Sequence, residues 1–268
     1  YIAGQTPQAI ADYLRAKDAK TVLSTVLAKG LNSSGPIPDG TLVPLARSPE
    51  LATPEGGLKD LLRSLASDPR NDITIISGRQ REFLQTHLGD IRLSLVAEHG
   101  AWMRRRGGIW RKRVFPDHSW KTRIMPMLEF YVERLPGSFL EEKECSIAWH
   151  YRQSDAESAD FMAQELKFEL NNLLFQTNME VLEGNKVLEV RAKTANKGAA
   201  VLAVLDDAAY DFILAAGDDA TDEDMFQALP KEAATIRVGI RPTSAHYLVA
   251  RQQDIGDLLW KLTELSRK

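Results

Sequence analysis

The sequence lacks, or has little of, several features that are typical of particular classes of protein. It has one cysteine in 268 residues, Cys145, which excludes an internal disulfide and is typical of a reducing compartment. No apolar run approaches the roughly 18 residues of a membrane-spanning helix. The net charge of −3 gives no general affinity for nucleic acid. We therefore expect a cytoplasmic protein that binds neither a membrane nor nucleic acid.

The chain is long enough to bury a substantial core. Of its residues 44% are hydrophobic, which suits one domain with an insertion, or two domains. It begins at Tyr1 and lacks the charged and apolar regions of a signal peptide, so we interpret it as part of a longer protein.

Short apolar segments alternate with segments of helical periodicity through most of the chain. Strands are predicted at residues 72–76, 93–97, 212–216 and 234–240, and helices at 58–66, 80–88, 199–205 and 255–265. Residues 21–31 are apolar but ambiguous between helix and strand. Strands that alternate with helices imply right-handed crossovers, and so the sequence predicts an α/β core with a parallel sheet.

Residues 110–190 interrupt this alternation. Strand-like segments at 146–151 and 179–191 flank a long amphipathic helix at 159–174. We therefore predict a core domain made of residues 1–109 and 191–268, with an inserted α+β domain formed by residues 110–190.

The most informative segment is an acidic tract directly after the apolar run 212–216. Residues 217–224 read Gly-Asp-Asp-Ala-Thr-Asp-Glu-Asp, with five carboxylates. Carboxylates crowded at the end of a buried strand favour a hard cation such as Mg²⁺. The alternative is a solvated loop whose side chains cap the next helix. The buried strand before the tract favours the metal site.

Three other polar tracts fall at predicted element boundaries: Ser77-Gly78-Arg79, Glu98-His99-Gly100 and Asn196-Lys197-Gly198. Ligands of parallel sheets bind at the carboxyl ends of the strands. A serine hydroxyl, a lysine ammonium and a carboxylate-held Mg²⁺ can together neutralise a phosphoryl group. We expect Asp218 or Asp219 to be the carboxylate neighbour of Lys197. Taken singly, Ser77-Gly78 could be only a turn, Lys197 a surface lysine and His99 a structural histidine.

In this order the tracts resemble those of the haloacid dehalogenase superfamily of phosphatases and, within it, the trehalose-6-phosphate phosphatases. The resemblance is carried by residues 39–42, 76–79, 98–100, 149–152, 196–198 and 217–223, and it runs from Asp39 to the C-terminus. It implies a haloacid-dehalogenase-type, Rossmann-like parallel-sheet core with an inserted α+β cap domain. It also implies Mg²⁺-dependent dephosphorylation of trehalose 6-phosphate to trehalose, or of a related sugar phosphate.

The resemblance also implies roles for individual residues. Asp39 would be the general acid/base and would present an oxygen to Mg²⁺, and Ser77 and Lys197 would bind the phosphoryl group. Asp218, with Asp219 beside it, would ligate Mg²⁺. The substrate contacts would be Arg79, Glu98, His99, Lys186, Glu189 and Asp222, with Lys186 and Glu189 reading glucose from the cap.

One position departs from the family pattern. The nucleophilic aspartate of the family stands two residues before Asp39, where this chain has Ile37. An isoleucine cannot attack phosphorus, and an aspartyl-phosphate mechanism needs that carboxylate. We therefore expect either a trehalose-6-phosphate phosphatase with impaired turnover or a non-catalytic domain. The latter would stabilise or regulate a trehalose-6-phosphate synthase, as a fused domain or a separate subunit.

Overall fold

The computed structural model describes residues 21–25 (backbone), 41–42, 56–114, 119–184, 186–206 and 209–265. Ile37 and Asp39 lie outside these residues. The chain divides into two compact units, one made of residues 1–113 and 196–268 and the other of residues 114–195. Both units combine helices and strands.

The strands, in chain order, are β1 (Thr21–Thr25), β2 (Asp72–Ile76), β3 (Ser94–Ala97), β4 (Trp102–Arg104), β5 (Trp110–Lys112), β6 (Phe139–Glu142), β7 (Ser146–His150), β8 (Met179–Gly184), β9 (Val187–Ala192), β10 (Phe212–Gly217), β11 (Ala234–Val238) and β12 (Tyr247–Val249). The helices are α1 (Gly56–Ser67), α2 (Arg81–Leu88), α3 (Ser119–Arg134), α4 (Ala156–Leu173), α5 (Lys197–Leu205), α6 (Ala220–Ala228) and α7 (Gln252–Leu265). A single 3₁₀ turn, Glu98–Gly100, follows β3.

The first unit is built on an eight-stranded sheet in the order β12-β11-β10-β1-β2-β3-β4-β5. The six strands from β12 to β3 are parallel, which confirms the predicted α/β core. The ambiguous apolar segment that begins at residue 21 supplies β1, which lies between β10 and β2.

Helices cover both faces of this sheet, because successive side chains of a strand point to opposite sides. Ile75 packs with apolar residues of α1, α2 and α7 in one buried cluster. The next residue, Ile76, packs with residues of α5 and α6 in another. Strands buried on both faces leave their ends as the accessible part of the sheet.

An antiparallel hairpin, β4–β5, closes one edge of the sheet. Its three consecutive arginines each reach the end of a different helix. Arg104 donates to the carbonyl oxygen of Gly89 after α2 (3.2 Å), Arg105 to that of Ala203 in α5 (2.5 Å), and Arg106 to that of Ala66 in α1 (3.2 Å). Each of these carbonyl groups lies in the last turn of its helix or directly after it, where no backbone amide of the same helix can pair with it.

The second unit is a four-stranded antiparallel sheet in the order β6-β7-β9-β8, with helices α3 and α4. The ring of Trp149 on β7 packs edge-on against Tyr131 of α3, with the ring centroids 6.0 Å apart. Because side chains alternate along a strand, Ala148 and His150 lie on the other face of β7. That face also carries Glu189 of β9, which stands opposite Ala148.

The structure differs from the sequence prediction at several places. Strand β5 falls within the predicted insertion, but it pairs with β4 in the larger sheet. The predicted core resumes at residue 191, but β9 extends to Ala192 and residues 191–195 belong to the second unit. The segment predicted as one strand over 179–191 is two strands, β8 and β9, joined by a turn at which Lys186 has a φ of 59°. Helix ends differ by a few residues. Among the described helices, none combines the length and the apolar character needed to cross a membrane.

Candidate active site

The polar tracts of the first unit follow strands that run in the same direction. Thr25 at the end of β1 is in register with Ala216 of β10, and Ile76 at the end of β2 is in register with Val96 of β3. Ser77, Glu98 and Asp218 follow β2, β3 and β10 directly. These residues therefore lie along the carboxyl edge of one sheet, as the sequence predicts.

The Ser77 tract and the Glu98 tract are joined through their backbones. The Ser77 amide donates to the Val96 carbonyl oxygen (2.9 Å), and the His99 amide donates to the Ser77 carbonyl oxygen (3.0 Å). The His99 ring lies over Gly78, where a Cβ would be only 2.5 Å from Nε2. Any side chain larger than hydrogen at Gly78 would displace this ring, so these two tracts depend on each other's geometry.

The start of α5 packs against the Glu98 tract. Gly100 has a φ of 116°, and a Cβ there would lie 3.1 Å from the Asn196 carbonyl oxygen. The Asn196 side chain caps α5 by accepting from the Ala199 amide (2.7 Å). The close approach and the cap together fix the position of Lys197, the first residue of the helix.

Lys197 is fully buried, and its ammonium donates to Asp222 Oδ1 (2.7 Å). The prediction that Asp218 or Asp219 would be its partner is therefore wrong. The reason is the capping of α6: Asp219 is the N-cap residue and Asp222 is the third helical residue, and the two form a capping box. Asp222 Oδ2 turns back to accept from the amides of Asp218 (2.9 Å) and Asp219 (2.8 Å).

Burial dominates the electrostatics of Asp222 and Asp218. It raises the pKa of Asp222 above its ordinary value, while Lys197 acts in the opposite direction. The pKa of Asp218 is raised well above its ordinary value by burial and then by repulsion from Asp222 and Asp219. The hydroxyl of Thr41, which donates to Asp218 Oδ1 (2.5 Å), opposes this rise. A cation at Asp218 would favour its ionised form.

The five carboxylates of the acidic tract do not form one cluster. Glu223 accepts from Arg237 (3.2 Å) and from the Thr243 hydroxyl (2.8 Å). No group of three acidic, histidine or cysteine side chains able to hold a metal occurs among the described residues. The alternative that the tract caps the next helix is correct for Asp219 and Asp222.

Asp218 nevertheless fits a Mg²⁺ ligand. Mg²⁺ keeps several water molecules and is commonly bound by one or two carboxylates together with substrate phosphate. Asp218 is half-buried and its carboxylate accepts from a hydroxyl, while Lys197 donates to Asp222. Of the other two predicted ligands, Asp219 caps α6 with its side chain, and Asp39 precedes Thr41 by two residues in the sequence.

The predicted sugar contacts Lys186 and Glu189 lie in the second unit. Lys186 is in the β8–β9 turn and pairs with Asp160. Glu189 is buried and accepts from Lys143 Nζ (2.8 Å) and from the Ser146 hydroxyl (2.7 Å).

Sequence reasoning missed several polar side chains. Lys143 and Ser146 are among them, and so is the pairing of His150 Nε2 with Glu141 Oε2 at 2.9 Å. The alternation of Ser146 and His150 with Ile147 and Trp149 along β7 was the available signal for this polar face. Arg237, which lies within a strand, gave no comparable signal.

Comparison with known proteins agrees with this geometry. The family model described as trehalose-phosphatase matches residues 38–253, most of the chain. The chain belongs to the trehalose-phosphatase family. The match to the family model begins one residue after Ile37, the position at which the sequence departs from the family pattern.

Similar proteins support the trehalose-phosphatase assignment. The chain is 41% identical over 224 residues to a bifunctional trehalose-6-phosphate synthase/phosphatase of Thermoproteus tenax, covering 84% of this chain and 31% of that protein. It is 37% identical over 245 residues to a trehalose-phosphatase of Schizosaccharomyces pombe, covering 85% of this chain and 30% of that protein. The chain thus spans about a third of the length of these relatives.

Among solved structures, the C-terminal domain of the Candida albicans trehalose-6-phosphate phosphatase superposes with a TM-score of 0.85 at 28% identity, covering 100% of this chain and 98% of that one. A haloacid dehalogenase-like hydrolase from Bacteroides thetaiotaomicron shares the fold, with a TM-score of 0.59 at 12% identity, covering 90% of this chain and 98% of that one. These structures confirm the haloacid-dehalogenase-type fold class.

Proposed function

We propose that this chain is a trehalose-phosphatase domain that binds trehalose 6-phosphate together with Mg²⁺ and turns it over slowly. One observation carries the proposal. The Thr41 hydroxyl contacts Asp218, so the segment that follows Asp39 reaches the edge of the sheet. The chain has no carboxylate between β1 and Asp39, and Ile37 stands at the nucleophile position.

The retained groups support binding of a phosphoryl ester. Lys197 contributes a buried ammonium group, which donates one hydrogen bond to Asp222. The Ser77 hydroxyl follows β2 and accepts from the Arg79 amide (3.1 Å), and it would donate to a phosphoryl oxygen. Mg²⁺, when bound by Asp218 and Asp39, would supply charge to neutralise the phosphoryl group. Asp39 would donate a proton to the sugar oxygen as its bond to phosphorus breaks, while water forms the new phosphorus–oxygen bond and returns a proton to Asp39.

The second unit would supply recognition of the sugar through Lys186 and Glu189. Glu189 is held in place by the Lys143 ammonium (2.8 Å) and the Ser146 hydroxyl (2.7 Å). Such a fixed acceptor on a sheet face suits a sugar hydroxyl, because an oriented group loses little entropy on binding.

The single cysteine also supports a cytoplasmic location.

A phosphate-release assay on the wild-type chain and on Ile37→Asp tests this function. Wild type should release phosphate from trehalose 6-phosphate with Mg²⁺ far more slowly than about one turnover per second, a common enzyme rate. Ile37→Asp should gain turnover because it supplies the missing carboxylate. Ile37→Asn is the matched control, since it has the same shape without the nucleophile. Wild-type turnover near that rate, or equal gains by Asn and Asp, would contradict the proposal.

A second candidate function is a non-catalytic domain that stabilises or regulates a trehalose-6-phosphate synthase. It is favoured by Ile37 and by the printed name of the T. tenax relative, which joins a synthase and a phosphatase. In that case Ile37→Asp should remain inactive, while the chain should raise the melting temperature of a trehalose-6-phosphate synthase added to it. An unchanged melting temperature would exclude this alternative.

A further inference from the structure

We propose that Arg237 is a positioning residue that holds the Asp218–Asp219 loop in the geometry needed for Mg²⁺. The inference rests on the proposed function, because it concerns the same metal site. Arg237 lies on β11 in register with Gly217 of β10. Its side chain is only 4% exposed, and Nη1 donates to the main-chain oxygen of Asp219 (2.8 Å) and to Glu223 Oε1 (3.2 Å).

The loop is held from both sides of its main chain. On the amide side, Asp222 Oδ2 accepts from Asp218 and Asp219. On the carbonyl side, Arg237 donates to Asp219. Among the described residues, the Thr41 hydroxyl is the group that donates to the Asp218 carboxylate, so the direction of this carboxylate depends on how firmly the short main-chain segment is fixed.

Glu223 extends this arrangement to the segment between β11 and β12. Its carboxylate accepts from the Thr243 hydroxyl (2.8 Å) and from the Ser244 amide (2.7 Å), as well as from Arg237. The Arg237–Glu223 pair therefore connects β11, the first turn of α6 and this segment. The Lys197–Asp222 pair secures the same helix turn from α5.

Removing Arg237 should loosen the carbonyl side of the loop without removing a metal ligand. Residues that orient metal ligands typically change metal affinity by about 10- to 100-fold when they are substituted. We expect Arg237→Met to weaken Mg²⁺ binding about tenfold. Arg237→Lys keeps the charge and one reachable donor, so it should recover most of the affinity.

The experiment is calorimetric titration of the chain with Mg²⁺ alone, for wild type, Arg237→Met, Arg237→Lys and Asp218→Asn, with thermal unfolding measured in parallel. Arg251→Met is the matched control, because Arg251 is exposed and pairs with Asp254 away from the loop. The expected result is an order of decreasing affinity from wild type and Arg251→Met, through Arg237→Lys, to Arg237→Met and then Asp218→Asn.

Two outcomes separate this inference from the function on which it rests. If Asp218→Asn weakens Mg²⁺ binding but Arg237→Met does not, the positioning role is wrong and the metal site stands. If wild type binds no Mg²⁺, or Asp218→Asn binds it equally well, the proposed function fails and the inference with it. Should Arg237→Met fail to fold, Glu223→Gln decides, because it weakens the ion pair that holds the Arg237 side chain. Wild-type Mg²⁺ affinity in folded Glu223→Gln would overturn the positioning role.

Discussion

Both units of the molecule contain a buried lysine–carboxylate pair, but the two pairs are built differently. In the parallel-sheet unit, Asp222 receives Lys197 and two main-chain amides at the start of a helix. In the antiparallel unit, Glu189 receives Lys143 and the hydroxyl of Ser146 on the face of a sheet. A sheet covered on both faces confines its polar groups to strand ends, whereas the antiparallel sheet carries them on one face.

The two pairs differ in which part of the chain holds the carboxylate in place. The main chain fixes the carboxylate in the first unit, because the capping box and the start of α6 form together. Side chains fix it in the second unit, so individual substitutions can change that face without altering the backbone. Under the proposed function, the phosphoryl group would bind at the carboxylate fixed by the main chain, and the sugar at the face fixed by side chains.

The largest effect is expected for Lys197→Met. It leaves Asp222 buried among Asp218 and Asp219 without its cation, and losing one partner of a buried pair typically costs about 3–5 kcal/mol. Urea denaturation followed by circular dichroism measures the loss. Lys167→Met is the control, because its pair with Glu183 is partly exposed and should change stability by less than about 1 kcal/mol. Equal losses for both variants would refute the distinction.

Lys143→Met should destabilise the chain by less, about 3 kcal/mol. Ser146 remains as a donor to Glu189, and the Glu189 side chain is 6% exposed where that of Asp222 is 0% exposed. The same denaturation series, with Lys167→Met again alongside, gives the ranking. A loss larger than that of Lys197→Met would reverse the comparison between the units.

The smallest of the three effects is expected for Gly78→Ala, at about 1–3 kcal/mol. The added methyl would meet the His99 ring, which must move for the Glu98 tract to remain in place. Gly57→Ala is a suitable control, since a Cβ there meets nothing within 4 Å. Calorimetric melting of the two variants measures the difference, and an unchanged melting temperature for Gly78→Ala would show that the ring relocates freely.

The sequence predicted the architecture of the first unit well, because strand and helix periodicities are local signals. It also placed Ser77, Glu98 and Asp218 at strand ends, since the apolar runs before them mark where the strands stop. It did not predict that Lys197 pairs with Asp222. That choice depends on helix capping geometry, which brings the third helical residue back over the first turn. Nor could spacing reveal that Arg237 meets Glu223, because the two residues lie on different elements.

The arginine-rich hairpin β4–β5 has a consequence for how the first unit comes apart. Arg104, Arg105 and Arg106 cap α2, α5 and α1, of which α5 is distant from the other two in the sequence. Opening the hairpin would uncover the carbonyl ends of all three helices at once. We therefore expect local unfolding at this edge to be one cooperative event that affects helices on both sides of the sheet, instead of the fraying of one terminal strand.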